Sequence, residues 1–181
     1  MNKQVETVID KYISKWEDIG LNLFITSQYQ DMISGSNEFG TTWKPIESTV
    51  TDRQLIELEK SIGYDLPVSF KDFLKYKHFI ELHIGEVEFF SHPSSDWQKH
   101  ILEPIFDGYP TDCLIEKGLM PFANYSDWGH VCFNLTNMIN NESAVYLWDH
   151  ERANEVELVY PSFESMILTI DKKLEAENNE T

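Results

Sequence analysis

Residues Thr51 to Lys77, TDRQLIELEKSIGYDLPVSFKDFLKYK, carry their own start and stop signals. Thr51 followed by Gln54 has capping-box spacing, a hydroxyl and an amide placed to satisfy first-turn backbone groups. Leu55, Leu58 and Ile62 recur at i, i+3 and i+7, which predicts a helix with one apolar face. Gly63 stands where a left-handed residue would end that helix. Pro67 suits the first turn of the next helix, where its missing N–H costs nothing. Phe70, Phe73 and Leu74 then supply a buried face.

The rest of the chain supplies what those helices pack against. Val5, Val8, Ile9, Tyr12, Ile13 and Trp16 form one helical stripe between Asn2 and Glu17. Leu21 to Ile33 is expected to hold an extended segment, and Gly35–Gly40 a turn or flexible loop. That loop is the expected boundary between an N-terminal helical extension (1–40) and a core domain (41–174), with an acidic, frayed tail at 175–181. Within the core, Ile80, Leu82 and Ile84 alternate with polar residues, and Val87 and Phe89 resume the alternation after Gly85-Glu86. This is the signal of a type II′ hairpin. Trp97, Ile101 and Ile105 predict a helix ending near Gly108, and Asp112–Lys117 a helical turn stopped at Gly118. Strands are predicted around Val131-Phe133-Leu135, Val145-Leu147 and Val156-Leu158, the first two joined by a polar loop and so antiparallel. Ser162 caps a last helix bearing Phe163, Met166, Ile167, Ile170 and Leu174. The order predicts an α+β fold, a mostly antiparallel twisted sheet covered by helices, with a more polar sheet face available to a partner.

Composition narrows the partners. Fourteen Lys and Arg stand against 31 Asp and Glu, giving a net charge of −17. Such a chain is repelled by phosphate backbones and anionic lipid and is suited to meeting a basic protein. Neither direct nucleic-acid binding nor membrane attachment is expected. The first ten residues lack the apolar core of a secretory signal, and Cys113 and Cys132 form neither a disulfide framework nor a CxxC pair. A cytoplasmic setting is the simplest expectation.

Candidate chemistry weakens under geometry. His130, Cys132 and Asn134 share one strand face, but neighbours there stand roughly 6–7 Å apart with parallel side chains and do not converge on one reacting atom. Cys132 is expected to be semi-buried. Asp149-His150-Glu151 resembles a metal cluster, yet in a strand only Asp149 and Glu151 point the same way, and no second histidine or cysteine pair accompanies them. Phosphate-binding glycine loops are absent. No catalytic residue, cofactor or metal is expected. What remains are aromatic and acidic residues at element ends: Tyr125, Asp127 and Trp128 before one strand, Trp148, Asp149 and Glu151 at the end of another. They are the candidate partner-binding residues, because Trp and Tyr dominate interface energetics. Alternatively, the tryptophans are partly core and the acids cap loops.

An ordered series of residues resembles the SUKH superfamily, which includes bacterial immunity proteins and the Smi/Knr cell-wall-assembly regulators of yeast. Its carriers are Leu55, Leu58, Gly63, Leu66-Pro67, Phe70 and Phe73-Leu74. Pro121-Phe122-Ala123 follow, with Asp127-Trp128-Gly129 ahead of Val131-Cys132-Phe133, then Val145, Asp149, His150, Glu151 and Ser162-Phe163. The similarity spans about Trp43 to Leu174. Asn134 departs from it, standing where such proteins often carry an aspartate. The resemblance implies an α+β fold and a non-catalytic immunity protein. Such a protein binds a cognate polymorphic toxin domain, expected to be basic and often a nuclease, and blocks it by steric occlusion. A regulatory protein–protein adaptor is the alternative it implies.

Overall fold

The computed structural model describes residues 1–18, 20, 22–24, 28–152 and 155–179. Helix α1 (Lys3–Asp18) buries Val5, Val8, Ile9, Tyr12 and Ile13, the stripe set by its apolar spacing. Strands β1 (Leu23–Phe24), β2 (Ile33–Asn37) and β3 (Gly40–Trp43) follow as a small antiparallel sheet. Of the expected extended segment, Leu21 and residues 25–27 lie outside the described residues, and Gln30–Met32 form a 3-10 turn. The Gly35–Gly40 stretch is a hairpin and not a flexible loop: Gly35 pairs with Thr42 and Asn37 with Gly40. Composition misleads here because Gly35 marks a close approach. A Cβ there would sit 3.3 Å from the Thr42 hydroxyl. A division at residue 40 therefore falls at the first residue of β3.

After β4 (Ile46–Glu47) comes α2 (Asp52–Ile62), with the Thr51–Gln54 capping box in place and Gly63 left-handed at φ 86°. Pro67 is the N-cap of α3 (Val68–Leu74), one position earlier than expected. Glu142 reaches across to that helix start: its carboxylate accepts the Ser69 N–H at 2.9 Å and the Ser69 hydroxyl at 2.5 Å. Strand β5 (Lys77–His78) pairs with β4. Strands β6 (His83–Ile84) and β7 (Val87–Phe89) are joined by Gly85-Glu86 with Gly85 at φ 61°, the hairpin its sequence signalled. Helix α4 (Trp97–Glu103) runs into a wide turn at Pro104–Gly108, and Gly118 closes the Ile115–Lys117 turn at φ 75°. Strands β8 (Leu119–Tyr125), β9 (Gly129–Asn134), β10 (Val145–Asp149) and β11 (Val156–Tyr160) complete the sheet before α5 (Phe163–Asn179).

Six of these strands form one antiparallel meander, ordered β11-β10-β9-β8-β7-β6. Its inner face carries Phe89, Phe122 and Phe133, which pack with Phe70 and Phe73 of α3 and Phe163 of α5; the Phe122 and Phe133 rings stack at 4.1 Å. Helix α1 joins the same core and is tied to α5 by Lys11, whose ammonium lies 2.7 Å from Asp171 and 2.8 Å from Glu175. The expected frayed tail is accordingly helical to Asn179, with residues 180 and 181 outside the described set.

Strand parity sends His130 and Cys132 to the outer face, as expected, but that face is not simply solvated. The chain between α4 and β8 folds over it, and Leu114, Leu119, Cys132 and Trp148 form a second apolar cluster with Tyr109 and Cys113 against its edge. Cys132 is therefore fully buried and not semi-buried, and burial drives its thiol pKa far up, which keeps it protonated. Both faces of β9 are covered over Gly129–Phe133, which is why alternation alone underestimates its burial. Among the described residues, no helix is long and apolar enough to cross a membrane.

Candidate partner-binding site

The six sequence-predicted residues divide among three places. Tyr125 pairs with Gly129 in the β8–β9 ladder, and its hydroxyl donates to Glu86 at 2.8 Å. That hydrogen bond, followed by burial, pushes its pKa up to about 12. Tyr125 belongs to a recess shared with Tyr160 and α5, apart from the other five.

Asp127 and Trp148 do meet, in a groove of about 510 Å3 at the end of β8, β9 and β10. Trp148 is only 2 % exposed, so it forms floor and not a protruding anchor. Register puts it on the outer face, and the covering segment buries it there. Trp148 pairs with His130 across the β9–β10 ladder, and residues directly opposite share a face. The two rings stack at 5.4 Å with planes 11° apart. Tyr109 from the covering segment lies over His130 at 3.6 Å between centroids, and its hydroxyl donates to Asn124 at 2.9 Å. Asn124 in turn donates to Glu88 at 3.3 Å. His130 is 7 % exposed, its Nδ1 is buried without a hydrogen-bond partner, and burial lowers its pKa to about 4, His150 adding to the effect. The imidazole is neutral at pH 7.

Trp128 is the exposed aromatic of the set, at 58 %. It sits on the three-residue turn between β8 and β9, whose first residue, Ser126, is left-handed at φ 48°. The turn is held from both sides. Trp128 N–H donates to the Tyr125 carbonyl at 3.1 Å, and the Trp128 carbonyl accepts from the His150 backbone at 3.2 Å and from His150 Nδ1 at 2.6 Å. Gly129 makes the tight approach possible. A Cβ there would overlap the Trp148 carbonyl oxygen and lie 2.9 Å from its carbon. Trp128 is thus an exposed indole on a backbone with little freedom to move.

Asp149 and Glu151 flank this turn but not as strand neighbours. The strand ends at Asp149 and the chain turns into a 3-10 helix, His150–Arg152. The Glu151 N–H donates to the Asp149 carboxylate at 2.8 Å. Strand periodicity therefore does not govern how these two acids are placed. No group of three metal-ligating side chains converges among the described residues.

A family model described as SMI1 / KNR4 family (SUKH-1) matches residues 49–169, about two-thirds of the chain. The chain belongs to this family. No curated protein matches it. The SUKH-1 match covers β8, β9, β10 and the groove, whereas α1 and the three-stranded sheet precede it. Asn134, at the position where an aspartate is common among SUKH proteins, accepts from the Thr136 N–H at 3.2 Å and hydroxyl at 2.8 Å. A neutral amide oxygen serves that turn, so the lost charge leaves local structure intact. Tyr109, Asn124, His130 and His150 are the site residues that sequence reasoning missed. Their meeting depends on strand register and on the covering segment, and only the shared parity of His130 and Cys132 was visible beforehand.

Proposed function

We propose that this SUKH-1 protein is a non-catalytic immunity protein that binds a cognate toxin domain and occludes its working surface. The observation that carries the reading is Trp128: a large, exposed indole on a pinned turn, next to Asp127 in the chain and one residue from Gly129, which pairs with Asp149 across the ladder. A rigid aromatic loses little freedom on binding and anchors an interface efficiently. These acids, on a chain of net charge −17, suit a basic partner such as a nuclease domain, whose approach they would accelerate. The family relationship supports this class of role, and a cytoplasmic location goes with it.

The test is co-expression with the C-terminal domain of a toxin encoded beside the gene. Rescue of growth, a stable complex on mixing and at least ~10-fold weaker binding of Trp128→Ala are expected. Failure to rescue together with no complex overturns the proposal. Association should slow as salt rises, since exposed charges are screened beyond a Debye length of about 8 Å near physiological ionic strength. A salt-independent on-rate removes the steering component.

A further inference from the structure

The six-stranded sheet has two edges, and only one of them is closed. At one end β6 is two residues long, and Trp16 of α1 packs edge-on against its His83 ring at 5.1 Å. At the other end β11 pairs with β10 alone. Successive strand residues point to opposite faces, yet Val156, Glu157 and Leu158 are all exposed, so neither face of this stretch is covered by the described residues. Among those residues, no backbone group of Val156–Tyr160 bonds anywhere but to β10. Edges are ordinarily blunted by brevity, a proline or a lysine. Here the strand is five residues long, Pro161 lies beyond its end, and no lysine or arginine occurs from Glu155 to Glu164. A bulge falls at Val159, past the regular stretch Val156–Leu158.

We propose that β11 takes up an extended segment of the bound partner as a further strand of the sheet, one in which apolar residues alternate with lysine or arginine. A row of outward N–H and C=O groups is matched best by another strand, and the side chains on its two faces then choose that strand's sequence. Val156 stands opposite Trp148 and Leu158 opposite Tyr146, so both lie on the outer face and favour apolar neighbours there. Glu157 points the other way and favours a cation across the new ladder, since opposite charges stabilise a cross-strand pair and like charges destabilise it. A second copy of this chain fits less well, because each copy carries a net charge of −17. The edge also adjoins the rest of the candidate interface. Asp149 pairs with Gly129 and Trp148 with Val156, which puts the start of β11 two strand spacings, roughly 10 Å, from the Trp128 turn. The inference rests on the partner-binding reading and specifies the form in which the partner meets this side of the sheet.

The test uses the whole protein and needs no toxin. A capped hexapeptide alternating lysine and valine is titrated at neutral pH while the β11 amide resonances and their hydrogen exchange are followed by NMR. Two controls run in parallel: the fully N-methylated peptide, which keeps every side chain and charge but has no backbone donor, and a glutamate–valine counterpart. Saturable shifts and slowed exchange within Val156–Leu158 are expected for the lysine peptide, with both controls at least ~10-fold weaker. Leu158→Lys places a blunting cation on the edge and should weaken binding at least ~10-fold with the melting temperature held. Ile56→Lys, the same change at an exposed position of α2, leaves binding unchanged. Equal binding of the N-methylated peptide, equal loss in both variants, or shifts confined to other surfaces would overturn the assignment. Slowed β11 exchange that grows with protein concentration alone would give the edge to a second copy and overturn it too. The two readings fail separately. A toxin complex in which β11 exchanges as in the free protein sinks the edge assignment alone. A peptide response without any toxin complex sinks the immunity reading alone.

Discussion

Three buried imidazoles should make this protein acid-labile well above the carboxylate range. His78 and His92 are 0 % and 1 % exposed, and their rings stack at 4.7 Å with the two Nδ1 atoms 3.2 Å apart. The Thr49 N–H donates to His78 Nε2 at 3.0 Å, and His92 Nδ1 lies 3.1 Å from the Lys77 carbonyl, leaving His92 Nε2 without a partner. A proton on either ring would be poorly solvated and would face its neighbour. Burial, then His78, lowers His92 to about 3; burial lowers His130 to about 4 and His78 in the same direction. In the unfolded chain all three return to about 6.5. Below that pH the unfolded state takes up protons that the folded state refuses, so stability is complete above about pH 6.5 and is lost as pH falls toward the folded values. From about pH 7.5 to about pH 5, His92 and His130 each cost about 2 kcal/mol, about 4 together. For a chain of this length that is a fall in Tm of roughly 8–16 °C. Urea unfolding at both pH values reads the effect directly. His92→Gln and His130→Gln should each remove about 2 kcal/mol of the pH-dependent loss. Relief of acidic self-repulsion on lowering pH has the opposite sign and acts on wild type and variants alike, so the difference between them isolates the histidines. An identical loss in all three proteins would refute the reasoning.

Three further outcomes test the frame around the candidate site. Gly129→Ala drives a Cβ into the Trp148 backbone, which cannot swing aside as a side chain can, and should cost about 3 kcal/mol or roughly 6–12 °C in a thermal melt. A wild-type Tm would mean the β9–β10 approach is softer than the geometry implies. Glu142→Ala leaves the Ser69 N–H and hydroxyl at the start of α3 without their acceptor and should cost about 1–3 kcal/mol in chemical denaturation, with Glu142→Gln recovering part of it. Ser126→Gly removes a left-handed non-glycine residue and should stabilise by about 0.5–1 kcal/mol; a loss of stability would show that the serine side chain itself supports the turn.

Local signals carried most of the architecture. The capping box at Thr51, the stop at Gly63, the Gly85-Glu86 hairpin and the Ser162 cap are each decided within a few residues of sequence, and each is present. Features decided by distant chain were illegible. Gly35 signalled a loop because nothing in its neighbourhood reveals that Thr42 lies against it. Trp148 alternates with inward-facing Val145 and Leu147, so its parity sent it outward. Only the covering segment around Tyr109 and Leu114 buries it. Asp149 and Glu151 were given strand spacing across a boundary that ends the strand between them. The sequence places acidic and aromatic residues at element ends, but their sorting into floor, rim and protruding turn depends on register and on the covering segment.

That sorting bears on how such a frame can serve different partners. The elements that fix the Trp128 turn are backbone features: the Gly129 approach, the left-handed Ser126, and the Trp128 carbonyl accepting twice from His150. They set where an indole is held but not what surrounds it. The charge beside it comes from Asp127, a side chain that little else in the fold depends on. Asp127 lies on the turn itself and is exposed, and Tyr109 belongs to a segment that packs over the sheet without adding a strand to it. Substitution at Asp127 changes the groove's charge with small cost to the core of Phe70, Phe122, Phe133 and Phe163, whereas Tyr109 also covers His130 and packs on the second apolar cluster. Stability and partner choice are therefore separable here. Variants of Gly129 should lose both folding and binding, whereas variants of Asp127 should change binding with the melting temperature held.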